Sequence, residues 1–242
     1  MRVGVLASGG GSNLQAIIDF FAASGSTGGS SLWWVGSDRA DAGALERARV
    51  GSVTAAVVIA PADGEAMLAQ LQAAGVELLV LAGYLKLVPT EVVRAYYGRL
   101  LNIHPALLPA FGGVGMYGAR IHAAVLAHGA TVTGATVHFV DEEFDRGPIV
   151  AQWPVPVLPG DTTASLAHRV LQIEHRLYPL CIAAVARRTI VLGADGIVHG
   201  HLDVPLSPGA PALRFALRAD DAVEHPGLLS SFALDLARLF PR

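Results

Sequence analysis

The chain has 242 residues, 52% of them hydrophobic and 15% charged, with a formal net charge of −3. That length suits one α/β domain with a good core, or a domain plus an appendage, and the charge leaves no electrostatic footprint for nucleic acid. No apolar run approaches the roughly 18–20 residues of a membrane span, and a single cysteine, Cys181, excludes an intrachain disulfide framework.

Residues 3–7 read as a buried strand that begins directly after Met1-Arg2, without the apolar region and cleavage site of a secretory leader. With the lone cysteine in an apolar setting, this predicts a cytoplasmic protein. Residues 9–12 form a glycine turn and residues 13–21 a helix. Strands are expected at 31–35, 55–59, 78–82 and 100–104, with helices at 40–49, 65–74 and 90–97 between them. Strands that are continuously apolar and alternate with helices imply a parallel, doubly wound sheet.

The second half changes character. Residues 111–118 form a glycine-rich loop and 121–128 a short helix. Residues 131–140 and 149–157 alternate in polarity and are expected as an antiparallel pair at the sheet edge, joined by the acidic turn 141–147. A long helix starts at Gly160-Asp161-Thr162-Thr163, with Asp161 or Thr162 as N-cap. Its stripe Leu166, Val170, Ile173, Leu177 carries it to about Val185. The expected division is a domain over 1–203 and an extension over 204–242, with a last helix at 228–240.

Ser8-Gly9-Gly10-Gly11-Ser12-Asn13 lies between the first strand and the first helix, where glycines admit an anion to the free N–H groups of a helix start. The loop lacks the Gly-Lys-Ser/Thr ending of a Walker A motif, and Leu14 stands where a dinucleotide fingerprint needs Gly or Ala. A single phosphate is the expected ligand. Asn102-Ile103-His104-Pro105 places an amide and an imidazole on one face of a strand. Both can address one oxygen, the Asn as donor and the His as donor or proton shuttle. Asp145 follows in the acidic turn, where a carboxylate would stabilise an imidazolium. His138 is either a supporting residue or a satisfied core histidine. Glu174 is by default a surface or capping carboxylate, or else meets a substrate hydroxyl or amine. His199-x-His201 shows no third ligand, so no metal is expected.

Taken in order, Ser8 to Asn13 with Leu14-Gln15-Ala16-Ile17, Asn102 to Pro109, Val137-His138-Phe139-Val140, Asp145-Arg146-Gly147-Pro148 and Glu174-His175 closely resemble the phosphoribosylglycinamide formyltransferase family. The resemblance covers roughly residues 1–193. It implies a Rossmann-like formyltransferase fold: a doubly wound, mostly parallel sheet with an antiparallel edge, followed by a C-terminal extension. It also implies formyl transfer from 10-formyltetrahydrofolate to 5′-phosphoribosylglycinamide in purine biosynthesis, with the folate as co-substrate and no metal. Gly11, Ser12 and Asn13 would hold the phosphate, and Glu174 would contact the glycinamide substrate. Leu85, Lys86, Leu87 and Val88 would line the folate pocket, with Asp141, Glu142, Glu143 and Phe144 as the folate loop. Asn102, His104 and Asp145 would be catalytic: Asn102 and protonated His104 stabilise the tetrahedral oxyanion, and His104 or a water on Asp145 moves the proton. The implied partners are small molecules, not nucleic acid or membrane, and the implied assembly is a monomer or homodimer.

The chain departs from the family pattern at Lys86, where an Arg is expected, and at Asp63-Gly64, where a basic residue is expected. A tRNA-formylating relative would need a basic C-terminal region, yet residues 193–242 hold six acidic and four basic residues. A formyltetrahydrofolate hydrolase is expected to carry an additional N-terminal domain. A non-catalytic nucleotide-binding module is disfavoured by the Asn102, His104 and Asp145 set.

Overall fold

The computed structural model describes residues 1–23, 30–204 and 213–216. Its first half alternates as expected: β1 (Arg2–Leu6), α1 (Ser12–Ala23), β2 (Ser31–Ser37), α2 (Gly43–Val50), β3 (Ala55–Val58), α3 (Gly64–Ala73), β4 (Leu78–Leu81), α4 (Thr90–Ala95) and β5 (Leu100–His104). Then come α5 (Ala119–Ala127), β6 (Val132–Phe139), β7 (Ile149–Pro156) and α6 (Thr163–Ala186). The main sheet has the order β3-β2-β1-β4-β5-β6-β7, parallel throughout except that β6 runs against both its neighbours. The doubly wound sheet with an antiparallel edge is therefore present.

Both faces of the sheet are covered, which is why its strands read as unbroken apolar runs. Along β4, Leu78 and Val80 pack into one core with α1, α2, α5 and α6, while Leu79 and Leu81 pack into the other. That second core holds Met67 and Leu71 of α3 and Val92 and Val93 of α4. Each fully buried Leu or Val contributes about 1.5–3 kcal/mol, so burial on both faces ties β4 to the helices on either side. Connections on either side of β1 and β4 leave in opposite directions along the sheet, which opens a crevice at the carboxyl ends of these strands.

The long helix α6 is anchored at its start. Thr162, not Asp161, is its N-cap: its side chain accepts the Ser165 N–H, and the Ser165 hydroxyl in turn accepts the Thr162 N–H. Asp161 instead takes a bidentate ion pair from Arg169 at 2.7 and 2.8 Å, which holds its carboxyl well below the usual carboxylate range. Further along, the buried Tyr178 hydroxyl lies 2.8 Å from the Leu81 carbonyl and 3.1 Å from that of Leu101. This ties α6 to the carboxyl end of β4 and the start of β5.

Helix α2 and the segment after α6 depart most from expectation. Helix α2 starts at Gly43 rather than residue 40, because Ala42 is extended and Arg39 pairs with Asp41 in the preceding turn at 2.8 Å. Beyond α6, three strands not anticipated from sequence, β8 (Ile190–Leu192), β9 (Val198–Val204) and β10 (Leu213–Ala216), form a small antiparallel sheet. The helix expected at 228–240 lies outside the described residues.

Replacing Asp161 by Ala should cost on the order of 2 kcal/mol in urea unfolding at pH 7, because Arg169 loses its charged partner. A carboxyl held low in the folded state stabilises above its unfolded pKa and loses that contribution as it is protonated. The gap between the two proteins should therefore shrink as the pH falls below about 4.

Candidate active site

Leu100 of β5 packs into the core under α4. Asn102 and His104 continue the same side-chain row toward the strand's carboxyl end. Strand β6 pairs antiparallel beside them, placing Asn102 opposite His138 and His104 opposite Thr136. The exit from β5 is strapped down by Thr136, whose hydroxyl donates to the Ala106 carbonyl at 2.6 Å and accepts the Leu108 N–H at 3.0 Å. Gln152 of β7 adds a bond to the Leu108 carbonyl at 2.8 Å. These bonds satisfy backbone groups that the prolines at 105 and 109 cannot pair in a regular ladder.

Asp145 enters from the turn after β6. Its backbone is left-handed, with φ at 58°, a conformation Asp tolerates better than most residues. Two residues on, Gly147 runs so close to the Phe139 carbonyl that any Cβ would collide with it. The tight turn brings the Asp145 carboxylate over β5. Its Oδ2 accepts the Gly113 N–H at 2.9 Å and lies 3.4 Å from His104 Nδ1. Its Oδ1 lies 3.4 Å from Asn102 Nδ2 and 3.7 Å from His138 Nε2.

The hydrogen-bond network assigns the ring tautomers. His138 Nδ1 sits 2.7 Å from the Phe139 carbonyl, so Nδ1 carries the proton and Nε2 accepts from Asn102 Nδ2 at 3.0 Å. His138 thus orients the Asn102 amide. His104 Nε2 is 2.8 Å from the Phe111 carbonyl and carries a proton, and Nδ1 faces Asp145. Burial holds the His104 pKa below the usual imidazole range despite the attraction of Asp145. Burial also pushes Asp145 upward, but the nearby imidazoles and the Gly113 N–H outweigh it and keep the carboxyl ionised.

These groups line a cavity of about 660 Å³ that also reaches Asn13, Glu174, and Leu85 through Val88, a volume suited to one or two small molecules. Asn13 sits in the first turn of α1, and its Nδ2 donates to Glu174 Oε2 at 2.6 Å, while its Oδ1 is buried without a partner. Gly11 and Ser12 lie beside Asn13 in the same turn but outside the cavity lining. Glu174, expected by default on the surface, is only 7% exposed. Of the acidic turn, Glu143 and Phe144 line the cavity. Asp141 accepts the Glu143 N–H, and Glu142 turns outward to Arg94 at 2.9 Å.

Three further residues of the site carried no sequence signal. The Phe111 carbonyl holds His104, although nothing in an isolated Phe marks its backbone as an acceptor. His122 of α5 is 4% exposed, lines the cavity and has an unpartnered Nδ1. Tyr84 lines the cavity with an unpartnered buried hydroxyl whose pKa burial pushes upward. No group of three or more potential metal-ligating side chains occurs among the described residues.

A profile of the formyl transferase family matches residues 1–182. The chain is 43% identical over 203 residues to the chloroplastic phosphoribosylglycinamide formyltransferase of Arabidopsis thaliana, covering 81% of this chain and 69% of that one. It is 39% identical over 190 residues to the phosphoribosylglycinamide formyltransferase of Escherichia coli (strain K12), covering 76% and 86%. Among solved structures, glycinamide ribonucleotide transformylase 1 from Symbiobacterium toebii superposes with a TM-score of 0.72 at 44% identity, covering 80% of this chain and 91% of that one.

Loss of solvent pushes the buried Glu174 carboxyl from its ordinary 4.5 up to about 7, against the lowering effect of the Asn13 amide. Such a group binds its proton more tightly when folded, so the fold loses stability as the pH rises from about 4.5 to about 7. Glu174→Gln should flatten that part of the pH–stability curve. At pH 8 the variant should exceed the natural protein by on the order of 1–3 kcal/mol in urea unfolding.

Proposed function

The chain belongs to the formyl transferase family, among the phosphoribosylglycinamide formyltransferases, and from that premise we propose that it moves a formyl group from 10-formyltetrahydrofolate to the amino group of 5′-phosphoribosylglycinamide in de novo purine biosynthesis. The observation that carries this reading is the convergence of Asn102, His104 and Asp145 on one cavity that also contains Asn13 and Glu174. Asn13 brings the start of α1, where the helix has free N–H groups, to the cavity lining, which suits a sugar phosphate. The wall of Tyr84, Leu85, Leu87 and Val88 suits the flat face of a pterin.

In this reading Gly11, Ser12 and Asn13 bind the phosphate, and Glu174 takes a hydroxyl or amine of the glycinamide substrate. Leu85, Lys86, Leu87, Val88 and the 141–144 turn hold the folate. The Asn102 amide keeps one N–H on His138 and turns the other, which rests 3.4 Å from Asp145, to the formyl oxygen as negative charge develops there. His104, its pKa lowered by burial, accepts the proton shed by the attacking amine at Nδ1. Asp145 stabilises the resulting imidazolium. The same proton is then available to the departing folate nitrogen. No covalent attachment to the protein is required, and the lone Cys181 is buried with its thiol pKa raised by burial. A cytoplasmic setting fits that reduced, inaccessible thiol.

The test is a formyl-transfer assay with purified protein and both substrates. The reading expects formylated product without added metal or ATP. Hydrolysis of the formyl donor with no transfer would overturn it. Asn102→Ala should lower kcat by about 10²–10³, the scale for losing one oxyanion donor, with little change in KM.

Asp145→Asn should lower the His104 pKa further, since removing a negative charge disfavours the imidazolium. An NMR titration of His104 in both proteins checks this, and an unchanged pKa would remove Asp145 from the role assigned to it.

A further inference from the structure

The glycine loop between β1 and α1 takes its shape from α2. The Gly9 carbonyl accepts the Ala44 N–H at 3.1 Å, and the Gly10 carbonyl accepts Arg47 Nε at 2.7 Å. The Gly11 carbonyl accepts the Gln15 N–H at 2.9 Å within the first turn of α1. Three successive carbonyl oxygens are thus committed to donors. The first N–H groups of α1 have no intrahelical acceptor. A loop whose carbonyls are engaged and whose amides are free attracts an anion, because the exposed oxygen dipoles that would repel it are already satisfied.

Arg47 is the side chain that completes this arrangement. Besides Gly10, its Nη1 reaches Gln15 Oε1 at 3.1 Å, so one guanidinium ties together the loop, α1 and α2. The packing is close. Gly11 has φ at +74°, and a Cβ there would lie 2.8 Å from the Ala44 Cα and 3.3 Å from the Arg47 Cδ. The planar fork of Arg suits this double task, and a Lys ammonium would reproduce the charge but not both bonds.

We propose that Arg47 is the positioning residue of the phosphate loop: it holds the Gly10 carbonyl toward α2 and, through Gln15, keeps the amides of Gly11, Ser12 and Asn13 converged on the phosphate monoester of the substrate. The role rests on the reading of this loop as the phosphate site. Arg47 acts through the loop backbone and contributes its positive charge at a distance.

The experiment compares the natural protein with Arg47→Met and Arg47→Lys, each checked for an intact thermal melt. The two acceptors are glycinamide ribonucleotide and the same riboside lacking phosphate, and inorganic phosphate serves as competitor. In Arg47→Met the KM for the ribonucleotide should rise about tenfold, the scale of one lost hydrogen bond. Its kcat and folate KM should be nearly unchanged. The riboside KM should not move, and inhibition by phosphate should weaken by the same factor. Arg47→Lys should recover part of the loss. A rise in KM shared equally by ribonucleotide and riboside would overturn the proposal, as would a folded Arg47→Met protein with an unchanged ribonucleotide KM. If the natural protein itself fails to distinguish the two acceptors, the phosphate-loop reading falls and takes the role of Arg47 with it.

Discussion

The cost of burying the Asp145 carboxylate organises the whole site. An ionised carboxyl removed from water must be paired or well hydrogen-bonded, or it takes up a proton and its charge is lost. Asp145 meets this demand with the Gly113 N–H and, at longer range, the Asn102 amide, with the His104 and His138 rings packed beside it. These groups come from three parts of the fold: the glycine-rich loop, β5 and β6. Satisfying one charge therefore requires the loop, the strand pair and the acidic turn to be assembled together. The same satisfaction keeps the charge available opposite His104.

The long helix α6 gives the cavity its second anchor. Its Tyr178 hydroxyl pins the carbonyls of Leu81 and Leu101, one on each strand that leads into the site. One turn earlier, Glu174 meets Asn13 at the start of α1. A single rigid element thus sets the distance between the polar end of the cavity and the Asn102 and His104 row. Burial on this helix also explains why Glu174 carries its unusual affinity for a proton.

What the sequence reveals follows from how local each feature is. The alternation of β1 to β5 with helices is legible because two-sided burial produces continuous apolar strands. The grouping of Asn102 with His104 follows from strand periodicity alone. Asp145 and Glu174 join them only through the fold, and the resemblance of ordered motifs was needed to connect them. The Phe111 carbonyl, Thr136 and Arg47 stayed hidden because their partners are backbone atoms or lie far along the chain. The choice between Asp161 and Thr162 as N-cap was open because both residue types cap helices. The structure separates them through Arg169, which claims Asp161. Short strands such as Ile190–Leu192 give too few residues for any alternation to register.

The pairing of Asn102 with His138 carries a consequence for how this site tolerates changes in chain length. The ladder between β5 and β6 aligns these residues regardless of how much chain lies between the strands. Residues added between Gly113 and α5 need not disturb that alignment, and they leave the Phe111 carbonyl and the Gly113 N–H in place. An insertion of one residue within β5, between Leu100 and Asn102, would instead rotate both site side chains to the opposite face, where Leu101 and Ile103 now pack. Evolution can therefore lengthen the connection and reshape the cavity wall, while the strand beneath it is confined to substitution.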